Sequence, residues 1–560
     1  MQGRAWLISL AFGALMTVTV TTSEGGGDGS TDRAPRNLTD EGPLKYPPTR
    51  RGDHFDVYHG VKVLDPYRWL EDDVRKSQEV ADWVAEENKV TEAYLKAIPE
   101  RDALKRRLTD LWNYEKYSAP FKAGSRYFFY KNDGLQNQNV LYWQESLQAP
   151  AKVLIDPNTW SKDGTIALSG QSVSDDGKLL AFGKSEAGSD WSKWYVMDVA
   201  SGKILADELR WVKFTSADWT TDNQGFFYTR YPEPEKGKEF QGLVFNGKLC
   251  YHKVGTPQTE DAIVYERPDH KEWGFASDVS EDGNYLIIYT WKGTDRRYRV
   301  TYKDLKAKDA KPIDLIDNFE AAYAFLGNNG TTFFFKTDNG APRSRIVAID
   351  ITKPAKEHWK EIIPQAQENM VGSHIVGELF VCNFLKDAST QVKMYRLDGT
   401  FVRAVAFPTL GSAGGFGGKR PETETFYTFT SFTTPPTIYR YDLKSGESKL
   451  FRQPKVPFEP NDYEVKQVFY QSKDGTRVPM FLSYKKGLKL TRDHPTLLYG
   501  YGGFNIPLPP TFAISKLLWM EMGGVYAQAN IRGGGEYGKE WHQAAVKLNR
   551  QKAYDDFIAA

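Results

Sequence analysis

A short aromatic run recurs seven times along the chain at a nearly constant interval, and this repeat limits the fold more than any other feature. Successive runs start 52, 46, 60, 47, 46 and 47 residues apart. The runs are Phe128–Tyr130, Leu180–Phe182, Phe226–Tyr228, Leu286–Tyr289, Phe333–Phe335, Leu379–Cys382 and Phe426–Phe429. Four-stranded propeller blades occupy about 40 to 50 residues each. The interval therefore predicts a seven-bladed β-propeller, which we place at residues 117–460.

A second element keeps the same interval. Most runs are followed by an alternating strand that ends in a turn: Tyr195–Asp198, Tyr302–Asp304, Ile346–Asp350, Tyr395–Asp398 and Tyr439–Asp442. Asn, Asp and Gly stand where the hairpins must reverse, because these residues tolerate positive φ. Two β-sandwiches are the alternative fold, but they do not require one interval to be kept over about 300 residues.

The segments on either side of the repeat follow helical and α/β patterns. In residues 66–108, apolar side chains recur at steps of three and four, which predicts one or two amphipathic helices. After Tyr463 the sequence predicts a hairpin, a buried strand at Pro495–Tyr499, a helix, a buried strand at Val525–Ile531 and a last helix at Ala544–Ile558. The printed sequence ends within that helical pattern, so we expect this α/β domain to be cut short.

The composition excludes several classes of function. The chain has 73 Lys and Arg against 72 Asp and Glu, a formal net charge of +1, so no overall field would attract nucleic acid. Cys250 and Cys382 are its only cysteines and belong to no Cys or His cluster. We therefore predict no disulfide framework, no metal and no cofactor. None of the eight histidines forms a metal-binding pair in sequence, and we assign none as a catalytic base.

The N-terminus resembles a secretory signal peptide. Arg4 precedes the apolar stretch Ala5–Val20, and a Gly-rich segment begins at Gly25. We predict a signal peptide at residues 1–23, a flexible linker at residues 24–45, and a periplasmic or secreted protein. An uncleaved anchor is the alternative, but the apolar stretch is shorter than the roughly 20 residues that a bilayer-spanning helix needs, so we expect no stable membrane span.

Two glycine-rich segments are the candidates for chemistry. Tyr499–Phe504 reads YGYGGF and follows a predicted strand, at the C-terminal end where open α/β sheets build their sites. Gly533–Gly538 reads GGGEYG and formally matches a dinucleotide-binding fingerprint, but two strands precede it and no acidic residue closes a following strand. We interpret this second segment as a tight loop. The 560 residues contain no GxSxG nucleophile elbow.

Together with Asp65–Glu71 and Asn530–Gly538, the YGYGGF segment makes the chain resemble the prolyl oligopeptidase family of serine peptidases. The resemblance covers residues 46–560. It implies a seven-bladed β-propeller inserted into an α/β-hydrolase domain, with residues 46–116 and 461–560 contributing to the hydrolase domain. It also implies cleavage of short peptides on the C-terminal side of proline.

The same resemblance implies three site residues. By motif position, Tyr501 matches a tyrosine whose hydroxyl donates to the oxyanion, and Phe504 matches an aromatic wall of the proline pocket. Phe214 resembles a residue that lines a more distant substrate subsite. Without the resemblance, Tyr501 would be interpreted as a buried phenol bonded to backbone, and Phe214 as a buried residue of a strand.

The sequence also departs from the family. Trp291 stands where cytosolic members place an Arg that bonds the peptide backbone, and Arg296 or Arg297 are the candidate substitutes. In the family, the nucleophilic Ser and its Asp and His partners follow the helix at which this sequence ends, so we expect the 560 residues alone to be inactive. The expected partners are short proline-containing peptides, bound by a monomer. The alternative function is an exported, non-catalytic propeller that binds peptides or a protein partner.

Overall fold

The computed structural model describes residues 44–235 and 244–560. The predicted signal peptide, and the predicted linker up to residue 43, lie outside these residues. No helix in the described part of the chain is both long and apolar enough to cross a membrane. The described residues form two units, residues 44–110 and the residues from Leu111 onward.

The smaller unit contains a hairpin and two helices. These elements are β1 (Phe55–Tyr58), β2 (Val61–Leu64), α1 (Gln78–Ala97) and α2 (Arg101–Trp112), whose last two residues are assigned to the larger unit. Helix α1 begins after Ser77, whose hydroxyl accepts a hydrogen bond from the Val80 amide at 3.4 Å. The helices agree with the predicted helical pattern. The hairpin was not predicted, although His59 and Gly60 form its turn with positive φ.

The larger unit begins with seven antiparallel blades, of which the first three precede residue 267. Blade 1 contains β3 (Lys116–Tyr117), β4 (Phe121–Ala123), β5 (Arg126–Asn132), β6 (Val140–Gln144) and β7 (Lys152–Ile155). Blade 2 contains β8 (Ile166–Val173), β9 (Leu179–Glu186), β10 (Ser192–Asp198) and β11 (Ile204–Val212). Blade 3 contains β12 (Asp218–Trp219), β13 (Gly225–Arg230), β14 (Lys248–Lys253) and β15 (Ala262–Glu266). Blades 2 and 3 share one sheet, because Val212 pairs with Arg230.

The last four blades are separate four-stranded sheets. Blade 4 contains β16 (Trp273–Val279), β17 (Tyr285–Lys292), β18 (Arg299–Asp304) and β19 (Ile313–Ile316). Blade 5 contains β20 (Tyr323–Asn329), β21 (Thr332–Thr337), β22 (Arg345–Asp350) and β23 (Lys360–Ile363). Blade 6 contains β24 (Asn369–Val376), β25 (Leu379–Lys386), β26 (Ser389–Arg396) and β27 (Phe401–Ala404). Blade 7 contains β28 (Ser412–Gly415), β29 (Glu424–Thr430), β30 (Thr437–Asp442) and β31 (Ser448–Arg452).

Each of the seven aromatic runs lies in one strand of a different blade, namely β5, β9, β13, β17, β21, β25 and β29. Blade 5 shows why consecutive residues are apolar. Phe333 and Phe335 of β21 pack against blade 4, whereas Phe334 packs against Phe380 of blade 6, with ring centroids 5.3 Å apart. Successive side chains of a strand point to opposite faces, so a strand buried between two neighbours needs an unbroken apolar run. The predicted seven-bladed propeller is confirmed.

The turns alternate between the two ends of the propeller, because successive strands are antiparallel. Turns that join the first strand of a blade to the second lie at one end, which we call the distal end. Turns that join the second strand to the third lie at the opposite end. Pro342 and Asp387 stand in turns of this second kind and bond to residues that follow the propeller in sequence, so we call this end the hydrolase-facing end.

A loop between β28 and β29 of blade 7 reaches across the distal end. The Arg420 guanidinium donates to both carboxylate oxygens of Glu378, at 2.6 and 2.8 Å. It also donates to the carbonyl oxygen of Asn328 and to Oδ1 of Asn329, each at 2.8 Å. The Arg420 amide donates to Oε1 of Glu281 at 3.0 Å. These partners lie at the distal ends of blades 4, 5 and 6, so one residue of blade 7 connects four blades through its side chain and its backbone amide.

Side chains also join the first blade to the last. In the described chain, no strand of blade 1 pairs with a strand of blade 7. Instead, the Arg452 guanidinium of blade 7 lies 4.5 Å from the ring centroid of Tyr117 and 4.6 Å from that of Phe129, both in blade 1. Within the loop of blade 7, Lys419 also pairs with Asp175 of blade 2 at 2.7 Å. The ring is therefore held by side chains where a shared strand would otherwise close it.

The residues after the propeller form one mixed sheet with helices. The elements are β32 (Tyr463–Gln471), β33 (Arg477–Lys485), β34 (Thr496–Gly500), α3 (Ile514–Glu521), β35 (Val525–Ala529), α4 (Lys539–Gln543) and α5 (Gln551–Ala559). The strand order is β32-β33-β35-β34, and β34 runs parallel to β35. The predicted combination of a propeller with part of an α/β-hydrolase domain is confirmed.

Two local predictions in this sheet are wrong. The strand predicted as buried at Pro495–Tyr499 is β34, which lies at the sheet edge beside β35 and leaves Tyr499 exposed. The single helix predicted at Ala544–Ile558 is interrupted, because Val546 has extended backbone and Lys547 has a φ of 52°. Local apolar patterns do not show that β34 lies at a sheet edge, because its neighbours in the sheet are distant in sequence.

A fully buried histidine lies between two aspartates in blade 3. Nδ1 of His252 is 2.8 Å from Oδ1 of Asp261, and Nε2 is 3.0 Å from Oδ1 of Asp207. Burial lowers the pKa of His252, but the bonds to Asp207 and Asp261 outweigh burial and raise the pKa to about 9. Both ring nitrogens are occupied, so His252 is a charged structural residue.

We expect Arg420→Ala to lower the free energy of unfolding by about 1–3 kcal/mol, because several charge-assisted hydrogen bonds between blades are lost. The matched control is Arg345→Ala. Arg345 is similarly buried and bonds to Glu361 at 2.9 Å, but both residues belong to blade 5, so we expect a loss of less than about 1 kcal/mol. Chemical denaturation measures both variants, and equal losses would contradict the role of Arg420 in joining blades.

We expect His252 to contribute pH-dependent stability. Its folded-state pKa is raised, so the contribution is complete below about pH 6.5 and is lost as the pH rises through about 9. The loss should amount to about 3 kcal/mol at most. Denaturation midpoints between pH 6 and 10 test this for the unmodified chain and for His252→Gln. The pH dependence should be smaller in the variant, and identical curves would show that His252 does not titrate in this range.

Candidate active site

Tyr501 lies where the chain leaves the sheet after β34. The adjoining Gly502 has a φ of 58°, and a Cβ atom there would be 2.7 Å from the carbonyl oxygen of Arg532, so this position requires glycine. The Tyr501 side chain is 37% exposed. Its hydroxyl has no hydrogen-bond partner in the described part of the chain, which leaves it free to donate to a ligand. The interpretation of Tyr501 as a buried phenol bonded to backbone is therefore wrong.

Phe504 presents its ring to solvent from the same segment. Its side chain is 65% exposed, and Phe504 and Asn505 have φ values of 53° and 55°. Non-glycine residues adopt this conformation at an energetic cost, so surrounding contacts must hold it. The Asn505 amide donates to the carbonyl oxygen of Gly533 at 3.2 Å, and the Ile506 amide donates to that of Gly503 at 3.0 Å. A held, exposed aromatic ring is suited to apolar contact with a ligand.

The second glycine-rich segment packs directly against the first. Gly533 has a φ of 96°, and a Cβ atom at this position would collide with the Gly502 carbonyl. The two backbones therefore touch, which leaves no space for a pyrophosphate between them. The tight-loop interpretation of GGGEYG is confirmed for Gly533 and Gly538, the two positions of positive φ.

Arg532 fixes the start of this loop. It is buried, and its guanidinium lies 2.6 Å from Oδ1 of Asp556 in α5 and 2.5 Å from Oδ2 of Asp474 in the β32–β33 turn. The Arg532 amide also donates to Asp556, at 2.9 Å. The bonds from Arg532 hold the pKa of Asp474 well below its usual range. The strand end, the hairpin and the helix are thereby joined by one guanidinium.

The same loop contacts the hydrolase-facing end of the propeller. The Tyr537 hydroxyl donates to Oδ1 of Asp387 at 2.7 Å, and Nδ2 of Asn369 donates to the Gly535 carbonyl at 2.7 Å. The Lys539 amide donates to the carbonyl oxygen of Pro342 at 2.9 Å. An apolar cluster of Ala388, Phe432, Phe481 and Tyr526 joins the two parts as well.

Phe214 lies between β11 and β12, in a connection that runs along the hydrolase-facing end. Its side chain is 46% exposed and its φ is 52°, so it is not a buried strand residue. Among the described residues, its ring makes no ring–ring contact with Tyr501 or Phe504. Its role at a distant subsite stays a prediction, as do the roles of Tyr501 and Phe504.

Trp291, at the position where the family places an Arg, has different surroundings from the two candidate substitutes, Arg296 and Arg297. The Trp291 ring packs on Gly274, where a Cβ atom would collide with it. Arg297 pairs with Asp295 in the same turn. Arg296 is exposed and, in the part of the chain that the structure describes, makes no ion pair or hydrogen bond. Arg296 is therefore the better placed substitute of the two.

Sequence reasoning missed Glu536, which is 1% exposed and accepts hydrogen bonds at Oε1 from the Leu508 amide at 3.0 Å and from Asn530 at 3.1 Å. The available signal was a carboxylate among glycines directly after a buried strand. In the described ranges, no three His, Cys, Asp or Glu side chains form a group that could hold a metal ion.

Comparisons with known proteins agree with this architecture. The family described as "Prolyl oligopeptidase, N-terminal beta-propeller domain" matches residues 47–454, and "Prolyl oligopeptidase family" matches residues 510–560. The prolyl endopeptidase of Elizabethkingia meningoseptica is 43% identical over 517 residues, which are 92% of this chain and 72% of that protein. Prolyl oligopeptidase A of Amanita bisporigera is 35% identical, over 92% of this chain and 73% of that protein.

Comparison with solved structures also finds prolyl oligopeptidases and prolyl endopeptidases. A chain from a study of inter-domain dynamics in two prolyl endopeptidases superposes with a TM-score of 0.86 at 39% identity, covering 92% of this chain and 75% of the other. Prolyl oligopeptidase B of Galerina marginata, bound to a 25mer macrocyclization substrate, superposes with a TM-score of 0.87 at 33% identity, covering 92% of this chain and 76% of the other. The chain belongs to the prolyl oligopeptidase family.

Proposed function

We propose that this chain supplies the propeller and the oxyanion-binding part of a serine endopeptidase that cleaves short peptides after proline. One observation carries the proposal: an unbonded Tyr501 hydroxyl and an exposed Phe504 ring stand on one fixed segment at the C-terminal end of a strand. Membership of the family, and relatives named as prolyl endopeptidases, support the same substrate class.

The chemistry of both residues suits this reaction. Attack on a peptide carbonyl creates an oxyanion, which needs donors at about 2.7–3.1 Å. The Tyr501 phenol is a neutral donor that can meet this need. A proline ring presents a compact apolar surface, and an aromatic wall such as Phe504 binds it by contact area while excluding water. Arg296, exposed at the hydrolase-facing end, would contact the peptide backbone.

The nucleophile is a separate part of the proposal. No GxSxG elbow occurs in the 560 residues, so we propose that these residues alone do not form the acyl-enzyme intermediate. Residues 1–23 further support a periplasmic or secreted protein. We propose that it acts on peptides as a monomer.

The test uses this chain and the same chain extended at Ala560 by the catalytic segment of a prolyl endopeptidase. With a chromogenic glycyl-prolyl substrate, we expect turnover only by the extended chain. Turnover at comparable rates by both chains would refute the proposed absence of the nucleophile from these residues.

In the extended chain, Tyr501→Phe should lower kcat by about 10²- to 10³-fold and change KM much less, because the donor acts on the transition state. The matched control is Tyr499→Phe, a similarly exposed phenol two residues earlier, which should retain activity. Equal kcat values for the two variants would exclude the oxyanion role of Tyr501. An extended chain that binds proline peptides without hydrolysing them would favour the non-catalytic alternative.

A further inference from the structure

The segment that follows Phe504 is irregular, yet its backbone is held at Leu508 by buried side chains. The Leu508 amide donates to Oε1 of Glu536 at 3.0 Å. The Leu508 carbonyl oxygen accepts from Nε2 of Gln528 and from Nδ2 of Asn530, each at 2.8 Å. Gln528, Asn530 and Glu536 are all buried. Both backbone polar groups of one residue are thus satisfied by side chains from β35 and the loop after it.

Glu536 occupies an environment that disfavours charge. In the described part of the chain it has no Lys or Arg partner, and its Oε2 is buried without any hydrogen-bond partner. Burial raises the pKa of this carboxyl, while the bonds from Leu508 and Asn530 act in the opposite direction. Glutamine would keep the shape of the side chain and an acceptor oxygen at the position of Oε1.

The residues on either side of Glu536 are attached to blade 6. The Gly535 carbonyl accepts from Nδ2 of Asn369 at 2.7 Å, at the start of the first strand of that blade. The Tyr537 hydroxyl donates to Asp387 at 2.7 Å, in the turn between its second and third strands. Asn369 is buried, so its bond is shielded from water. The loop around Glu536 therefore contacts the propeller on one side and the Phe504 segment on the other.

We propose that Glu536 is a positioning residue that fixes the segment carrying Tyr501 and Phe504, and that blade 6 fixes Glu536 through Asn369 and Tyr537. The importance of this segment for peptide binding rests on the proposed function, whereas the hydrogen-bonded connection from blade 6 through Glu536 to the segment does not. Movement of blade 6 relative to the sheet would pull on Gly535 and Tyr537, displace Oε1 of Glu536 from the Leu508 amide, and release the segment.

Hydrogen–deuterium exchange of the complete 560-residue chain tests the connection without requiring catalysis. Glu536→Ala should speed exchange of the Leu508 amide at least tenfold, whereas Glu536→Gln should stay within threefold of the unmodified chain because its amide oxygen accepts the same bond. Exchange in β13 and β14 should be unchanged in both variants, which separates local release from general destabilisation. Unchanged exchange at Leu508 in the alanine variant, or equal acceleration in the glutamine variant, would overturn the proposal.

The Tyr537→Phe variant tests whether blade 6 of the propeller helps to fix Glu536. This variant removes only the hydroxyl that bonds Asp387, and it should speed exchange at Asn505 and Leu508, which Tyr537 does not bond. The matched control is Tyr427→Phe, which removes a buried hydroxyl bonded to Ser448 within blade 7. If the two variants have the same effect at Leu508, blade 6 does not fix Glu536. Inactivity of the extended chain would refute the proposed function and would leave these exchange results unaffected.

Discussion

The structure depends on one constraint: in each blade, the strand that carries the aromatic run is buried on both faces. Phe333 and Phe335 turn to one neighbouring blade and Phe334 to the other, so each such strand needs a blade on either side. An open row of blades would leave one apolar face exposed in its first blade and one in its last, whereas a closed ring covers both. Closure brings blade 1 against blade 7, and Arg452 of blade 7 holds that arrangement by packing on the rings of Tyr117 and Phe129.

The ring presents one end to the sheet that follows it. The turns at that end carry Asp387 and Pro342, whose partners Tyr537 and Lys539 belong to the GGGEYG loop and its continuation. That loop packs on Gly502, which lies between Tyr501 and Phe504 in the candidate site. The glycines are required because two backbones and a propeller turn meet within van der Waals distance. A motif that looks like a phosphate-binding loop is thus explained by close packing.

The fold was predictable from sequence because the repeat records a local property, burial of one strand between two others. Tyr501 and Phe504 could be identified as candidates because their motif is contiguous. The edge position of β34 could not be predicted, since apolar patterns do not show which neighbours a strand will have. Glu536 was missed for a related reason: its partners Leu508, Gln528 and Asn530 are brought together by the sheet and not by spacing.

The backbone pairing of Val212 with Arg230 has a consequence for motion of the propeller. It merges blades 2 and 3 into a single eight-stranded sheet, so the seven blades are built from six sheets. Backbone hydrogen bonds also cross other boundaries, for example from the Met370 amide to the Arg343 carbonyl, but in the described chain only here do strands of neighbouring blades pair within one sheet. Motion at this boundary must therefore break that strand pairing. Phe214 lies on the connection that spans this boundary. Its position is therefore set by two blades that share one sheet and are tied by strand pairing.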